Sequence, residues 1–229
     1  MRQLSFLIAI SLVLLLGCTL NGPPDAPAQS EPMMELPQPQ WTGTVSVEQA
    51  LQSRRSVRSF KAQPLTLNEV SQLLWAAQGM TGAPYRTAPS AGALYPLEIY
   101  VAVGNVEGLD AGVYHYNPPA HALSVVRKGD VLRSLSRAAY WQDHAGAGAI
   151  AIVFSAVYER TTGKYGQRGI RYVHMDAGHA AQNVYLQAEA LGLGTVVVGA
   201  FMDSWVKRAL QMKDDERPLS IMPVGKPMW

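Results

Sequence analysis

Gly148-Ala149-Ile150-Ala151-Ile152-Val153-Phe154-Ser155-Ala156-Val157 is an almost unbroken apolar run, followed by the polar Tyr158-Glu159-Arg160. A strand with water on one face alternates between apolar and polar residues. This one does not, so it reads as a central strand covered on both faces. On its C-terminal side lies the longest helical pattern, Tyr172 to Leu191. There Ala177, Ala181, Val184, Tyr185, Ala188 and Leu191 share one stripe, and Gly192 marks the stop. Thr195–Phe201 is again strand-like, Asp203 caps another helix, and Leu219–Val224 closes the chain as a last strand. On the N-terminal side, Ser46 caps a helix from Val47 to about Arg54. Thr66-Leu67-Asn68-Glu69 has capping-box spacing ahead of Val70, Leu73, Leu74 and Ala77. Leu97–Val103, Gly112–Tyr116 and Ala122–Arg127 read as strands, the last two as a hairpin around Asn117-Pro118-Pro119, and Asp130 caps a short helix. Helices and strands mix without regular alternation, which predicts an α+β fold.

The 229 residues, 48% of them apolar, suffice for one well-filled core. A formal charge of +2, from 19 basic and 17 acidic residues, creates no field that argues for nucleic acid or an anionic membrane surface. Residues 1–18 have the anatomy of an export signal: Arg2, an apolar run from Leu4 to Leu16, then Gly17-Cys18. Leu15-Leu16-Gly17-Cys18 resembles a bacterial lipobox, which implies cleavage before Cys18, lipidation of its thiol and an address on the cell envelope; an uncleaved anchor or an ordinary signal peptide is the alternative. Residues 19–40 are rich in proline, with Pro23, Pro24, Pro27, Pro32, Pro37 and Pro39, and read as a tether to a globular domain at 41–229. Cys18 is the only cysteine, so the domain holds no intrachain disulfide, cysteine-based metal site or thiol nucleophile.

Arg54-Arg55-Ser56-Val57-Arg58 follows the first helix. In extended backbone, residues 54, 56 and 58 project to one side, so that two guanidiniums and a hydroxyl line one surface. A phosphate matches that set, because guanidinium gives bidentate charge-assisted hydrogen bonds; taken alone, the cluster reads first as a solvated basic loop. Ala88-Pro89-Ser90-Ala91-Gly92-Ala93-Leu94-Tyr95-Pro96 then places small residues between prolines just before a strand, letting the main chain approach a flat ligand. In Leu191-Gly192-Leu193-Gly194-Thr195 the order is helix, glycine turn, strand, the reverse of a dinucleotide fingerprint.

Together, Arg54–Arg58, Pro89-Ser90-Ala91-Gly92-Ala93-Leu94-Tyr95-Pro96-Leu97-Glu98 and Leu193–Phe201 resemble the nitroreductase superfamily over residues 45 to 225. With Gly178-His179-Ala180-Ala181-Gln182-Asn183, they are closest to its SagB-type dehydrogenase branch. The resemblance implies a mostly antiparallel central sheet flanked by helices, and FMN bound at a homodimer interface. It implies that Arg54 and Ser56, with Arg55 beside them, meet the phosphate and ribityl oxygens. Arg58 would lie near the N1 and O2 edge of the ring. Pro89, Ser90, Ala91 and Gly92 would be laid against the ring from the second subunit. Gly199 and Ala200 would present main chain to the N5 and O4 edge, and Gln142 would contact the ring. Two departures stand out: Ala93 replaces an amide common in the family, and Lys226 falls too early for the basic pair that many members carry after the last strand.

The implied activity is two-electron transfer through flavin N5 in a ping-pong cycle, on a small-molecule or modified-peptide substrate. The alternatives are an NADH- or NADPH-dependent nitro or quinone reductase, and a non-catalytic lipid-anchored flavin carrier. His174, Asp176 and His179 are the one metal-like cluster, but their spacing spreads them around a helix, so no metal is expected and His179 reads as a packed or hydrogen-bonded helix residue. Tyr158, Tyr165 and Tyr172 either border a substrate pocket or pack at the core's edge.

Overall fold

A computed structural model of the chain describes residues 33–228. The expected export signal and Cys18 lie outside the described residues. In chain order the elements are β1 (Met33–Glu35), α1 (Val47–Ser53), α2 (Leu67–Gln78), β2 (Met80–Gly82), β3 (Tyr85–Arg86), β4 (Leu97–Val103), β5 (Gly112–Asn117), β6 (Ala122–Lys128), α3 (Leu132–Ala138), β7 (Ile150–Ala156), α4 (Glu159–Tyr165), α5 (Arg168–Ala190), β8 (Gly194–Thr195), α6 (Asp203–Leu210) and β9 (Arg217–Gly225). Seven strands form one sheet in the order β1-β6-β5-β4-β7-β9-β8, every pairing antiparallel. The short β2–β3 pair stands apart.

The sheet is the middle of three layers. Ile99, Val101 and Val103 of β4 sit opposite Phe154, Ile152 and Ile150 of β7, and this face packs on Val70, Leu73, Leu74 and Ala77 of α2 and Val173, Ala180 and Val184 of α5. Tyr100 and Ala102, with Ala151 and Val153, point the other way against α3 and α6. β7 lies between β4 and β9 and is buried along its whole length, as its uninterrupted apolar sequence requires. Both capping boxes form: Ser46 and Gln49 cap α1, and Thr66 and Glu69 cap α2.

Three boundaries differ from expectation. The tether does not run to residue 40. Met33–Glu35 pair with Ala122–Ser124, Leu36 is buried, and the Pro37 carbonyl accepts from Ser71 (2.5 Å) and lies 3.0 Å from His121 Nε2. Prolines lack an N–H but keep their carbonyls, so a proline-rich segment still docks where donors face it. Trp41, expected to begin the domain, is 83% exposed. The helix expected over 172–191 starts earlier, at Arg168, and α4 precedes it without an apolar stripe to announce it. The strand expected over Thr195–Phe201 lasts two residues; thereafter the Val197 amide donates to the Tyr185 hydroxyl (2.8 Å), and only Val198 returns to the sheet, opposite Ile221.

Candidate functional site

α1 ends at Ser53 and the chain turns extended at Arg54 (φ −53°, ψ 137°). Ser56 then runs parallel beside Thr195, and the Val57 amide donates to the Thr195 carbonyl (2.9 Å). Val57 faces the core against Gly194, where a Cβ would come within 2.6 Å of Val57 Cγ1, so glycine is what permits this approach. With residue 57 turned inward, Ser56 and Arg58 are exposed, the alternation expected of the segment. Tyr185 of α5 completes the shelf. Its hydroxyl lies 3.2 Å from Ser56 Oγ and accepts from the Val197 amide, and its ring lies 5.5 Å below the Arg54 guanidinium. Arg55 departs from the set: its guanidinium turns back to the carbonyls of Gln52 (2.9 Å), Ser53 (3.2 Å) and Arg54 (2.8 Å). Helix ends leave carbonyls without intrahelical partners, and a neighbouring cation is well placed to satisfy them. Among the described residues, neither Arg54 nor Arg58 is ion-paired to a carboxylate.

A second turn meets the shelf. Gln142 Nε2 donates to the carbonyls of Ala139 (2.9 Å) and Ala200 (3.1 Å), and the Met202 amide donates to the Ala138 carbonyl (2.8 Å). Gln142 and Ala200, expected in one site, are thus in direct contact. Gly199 and Ala200 are exposed, and their amides find no acceptor among the described residues. Partial burial, and then the positive charge of Arg58, push the His144 pKa down.

The Pro89–Gly92 loop belongs to another network. Gly92, Ala93 and Tyr95 all take left-handed backbone (φ 65°, 53° and 45°) just before β4. Asp176 of α5, 2% exposed, holds this shape: it accepts from the Ser90 hydroxyl (2.6 Å) and the Ala91 amide (3.4 Å), while Ser90 Oγ accepts from the Tyr95 amide (2.9 Å). Burial pushes the Asp176 carboxyl up despite those two donors. Lys164 and Tyr165, at the end of α4, close over Gly92: a Cβ there would fall 2.7 Å from Tyr165 Oη and 3.0 Å from Lys164 Nζ. Tyr165 in turn meets Tyr172 edge-on at 5.1 Å.

The two networks share α5 but not a face of it. Asp176 and Tyr185 are nine residues apart on one helix, which is about two and a half turns and about 13 Å along the axis. Their side chains leave on opposite sides. A single copy therefore offers the cationic shelf on one side of α5 and the small-residue loop on the other.

Among the described residues no three His, Cys, Asp or Glu side chains gather as a metal site. His174 bonds the Tyr158 hydroxyl (2.6 Å) and Asp176 faces the loop. His179, expected to be packed or hydrogen-bonded, is instead exposed and makes no hydrogen bond among the described residues, because it falls on the solvent side of α5. Lys226 is ion-paired to Glu69, the cap of α2, and the main chain beside it pairs with residues 59–61. A cavity of about 810 Å³ lies away from the shelf, between the Gln40–Val47 segment, α2 and α5; its lining, including Trp41, Trp75, Asn183 and Gln187, carries no charge and so does not suit a phosphate. Sequence reasoning placed Tyr185 on an apolar stripe and Asp176 in a metal-like cluster, and attached no role to Lys164. None of the three has a local motif; each acts through a segment distant in the chain.

The nitroreductase family model matches residues 51–226. MJ1384 of Methanocaldococcus jannaschii, named as a nitroreductase, is 49% identical over 183 residues, 80% of this chain and 91% of that protein. A crystal structure from Ralstonia eutropha, described as a nitroreductase, superposes with a TM-score of 0.76 at 31% identity, covering 86% of this chain and 90% of that one. The microcin B17-processing protein McbC of Escherichia coli is 34% identical over 146 residues, 61% of this chain and 52% of McbC, in keeping with the SagB-type likeness. With the match to the family model spanning most of the domain and the three-layer sheet shared with its solved relatives, this chain belongs to the nitroreductase family and is an oxidoreductase.

Proposed function

We propose that two copies of the chain bind FMN between them and use it for two-electron oxidoreduction in a ping-pong cycle. The observation that carries this reading is the shelf at Arg54, Ser56, Arg58 and Tyr185: among the described residues, cations free of acidic partners and a hydroxyl share this region with two main-chain amides that find no acceptor, at Gly199 and Ala200. That donor set suits a phosphate at one end and the polar edge of a flat ring at the other. FMN, when bound, supplies the two-electron chemistry at its N5. The protein's part is to hold and to polarise. Arg54 and Ser56 bind the anionic tail, Arg58 places positive charge where reduction leaves negative charge, and Gln142 fixes the Ala200 main chain. The Pro89–Gly92 loop, on the opposite side of α5, serves the site of the second copy, which is why the functional unit is a homodimer.

A dehydrogenating reaction of the SagB type is favoured over simple NADH- or NADPH-driven reduction of nitro or quinone compounds by the pair above Gly92. There the Tyr165 hydroxyl and the Lys164 ammonium project over the loop, 2.7 and 3.0 Å from where a Cβ on Gly92 would lie, and so offer a phenol and a cation as proton-transfer groups. In that role the Tyr165 oxygen would take a proton from one substrate carbon, next to the carbon from which a bound flavin would accept hydride, so that a double bond forms between the two. The substrate is then a small molecule or a modified peptide, and lipidation at Cys18 would hold the enzyme at the cell envelope. A carrier without turnover would bind FMN and do nothing further. The deciding experiment is a flavin fluorescence titration of the protein, followed by anaerobic absorption titration with NADH and NADPH and assay on azoline-containing peptides. Tight quenching and turnover are expected; an absence of quenching at high protein concentration refutes the reading, and binding with no turnover on any donor and acceptor pair leaves the carrier.

A further inference from the structure

Arg86 of β3 is a partly buried cation without a counter-ion. Its Nη1 donates to Gln78 Oε1 (3.1 Å), and among the described residues that is the side chain's one hydrogen bond; no carboxylate pairs with it. Glu98, whose charge Arg86 feels, is already engaged: His115 Nε2 lies 2.7 Å from its Oε2 and Arg160 Nη2 2.5 Å from its Oε1. Gln78 shares the surplus. It is 1% exposed, and its Nε2 is buried with no acceptor among the described residues. Both members of the pair thus carry more donors than acceptors, in surroundings where unmatched donors are costly. The arginine is nevertheless held in place. Its guanidinium lies 4.5 Å from the centre of the Tyr95 ring, and Tyr95 is itself fixed in left-handed backbone (φ 45°), its amide donating to Ser90 Oγ (2.9 Å) and its carbonyl accepting from Arg160 (3.3 Å). Next in the chain, the Thr87 amide donates to the Gly79 carbonyl (2.9 Å) and the Thr87 hydroxyl to the Trp75 carbonyl (2.8 Å). Tyr95 therefore ties Arg86 to the pair above Gly92, because Arg160 stands one turn before Lys164 on α4.

We propose that Arg86 receives a carboxylate of the substrate, and that it makes the protein select an anionic substrate over a neutral one of the same shape. The inference rests on the FMN reading above and deepens it by naming the substrate's charge; like the Pro89–Gly92 loop, Arg86 serves the site of the second copy. A carboxylate is the group that fits. It brings acceptors only, and a guanidinium meets it with two parallel charge-assisted bonds. A carboxamide of equal size brings N–H donors of its own to a place already in donor surplus, so it is held less well. The guanidinium is positioned on Tyr95 before the ligand arrives, and little ordering cost is incurred on binding.

The test uses the full-length chain loaded with FMN, as wild type, Arg86→Gln and Arg86→Lys. Each is titrated calorimetrically with thiazole-4-carboxylate and with thiazole-4-carboxamide, a pair matched in shape and different in charge. The wild type should bind the acid about tenfold more tightly than the amide. In the glutamine variant the acid should weaken until the two lie within about twofold, whereas the lysine variant, which keeps the charge and loses the fork, should retain part of the preference. Affinity for the amide and for FMN should be equal in all three proteins. A wild type that binds the two alike or binds neither, or a preference for the acid that survives undiminished in the glutamine variant, overturns this inference and leaves the FMN reading standing. So does a shift of the glutamine variant from dimer to monomer in light scattering, which makes the counter-ion of Arg86 a group of the second copy. A wild type that takes up no flavin overturns both.

Discussion

The two sides of α5 solve opposite problems. Around Tyr185 the chain leaves polarity unspent: among the described residues, Arg54 and Arg58 have no carboxylate partner and the amides of the exposed Gly199 and Ala200 have no acceptor. Around Asp176 it uses polarity up: a carboxylate, a hydroxyl and two amides satisfy one another and hold three residues in left-handed backbone. A surface that receives a charged ligand must keep donors in reserve, whereas a surface that is itself presented to a partner must be rigid. On the proposed function, the open side would hold the cofactor and the closed side would supply a fixed wall.

The comparison breaks most visibly on the open side. Replacing Arg54 and Arg58 together by alanine should weaken FMN binding on the order of 100-fold or more, since each charge-assisted bond is worth about 1.5–3 kcal/mol; fluorescence quenching reads this, and unfolding in urea should be nearly unchanged. On the closed side the order reverses. Asp176→Ala should cost about 1–3 kcal/mol of stability in urea, because it strands the Ser90 hydroxyl and the Ala91 amide. Burial holds the Asp176 carboxyl protonated to higher pH in the folded chain than in the unfolded one. Its contribution is therefore full in acid and declines as pH rises from the unfolded to the folded pKa, so the gap between wild type and variant should narrow over that range.

Tyr185→Phe sharpens the picture with a smaller effect. It removes the hydroxyl shared by Ser56 and the Val197 amide, and should lower FMN affinity about fivefold, with about 1 kcal/mol lost in stability. Arg55→Ala should do least, within about twofold in FMN affinity and about 0.5 kcal/mol in stability, because that side chain only closes the end of α1. An effect of Arg55→Ala as large as that of Arg54→Ala would show that the helix end opens when ligand arrives.

The sheet and the main helices were legible in the sequence because their signals are local. β4 spans the residues that its β-branched and aromatic run indicates, and both capping boxes sit where Ser46 and Thr66 place them. The open shelf was legible for a related reason: in extended backbone, the parity of Arg54, Ser56 and Arg58 decides which side they face. Arg55 joined the set only through the resemblance; parity points it away from Arg54, Ser56 and Arg58, and its guanidinium folds back on the helix end. The docking of Leu36 and Pro37 was hidden because their partners, Ser71 and His121, lie 34 and 84 residues on. Asp176 escaped for the same reason, since its partner loop is 86 residues upstream.

The half-turn offset of Asp176 from Tyr185 bears on which changes this stretch of helix can accept. Substitutions between the two alter chemistry at one face at a time, but inserting or deleting one residue swings every position beyond it by about 100°. Such a change would aim the loop anchor and the tyrosine into the same quadrant and leave one of them without its segment. Length between residues 176 and 185 should therefore be held far more strictly than composition, and an insertion or deletion there should cost far more in folding than a substitution at the exposed His179.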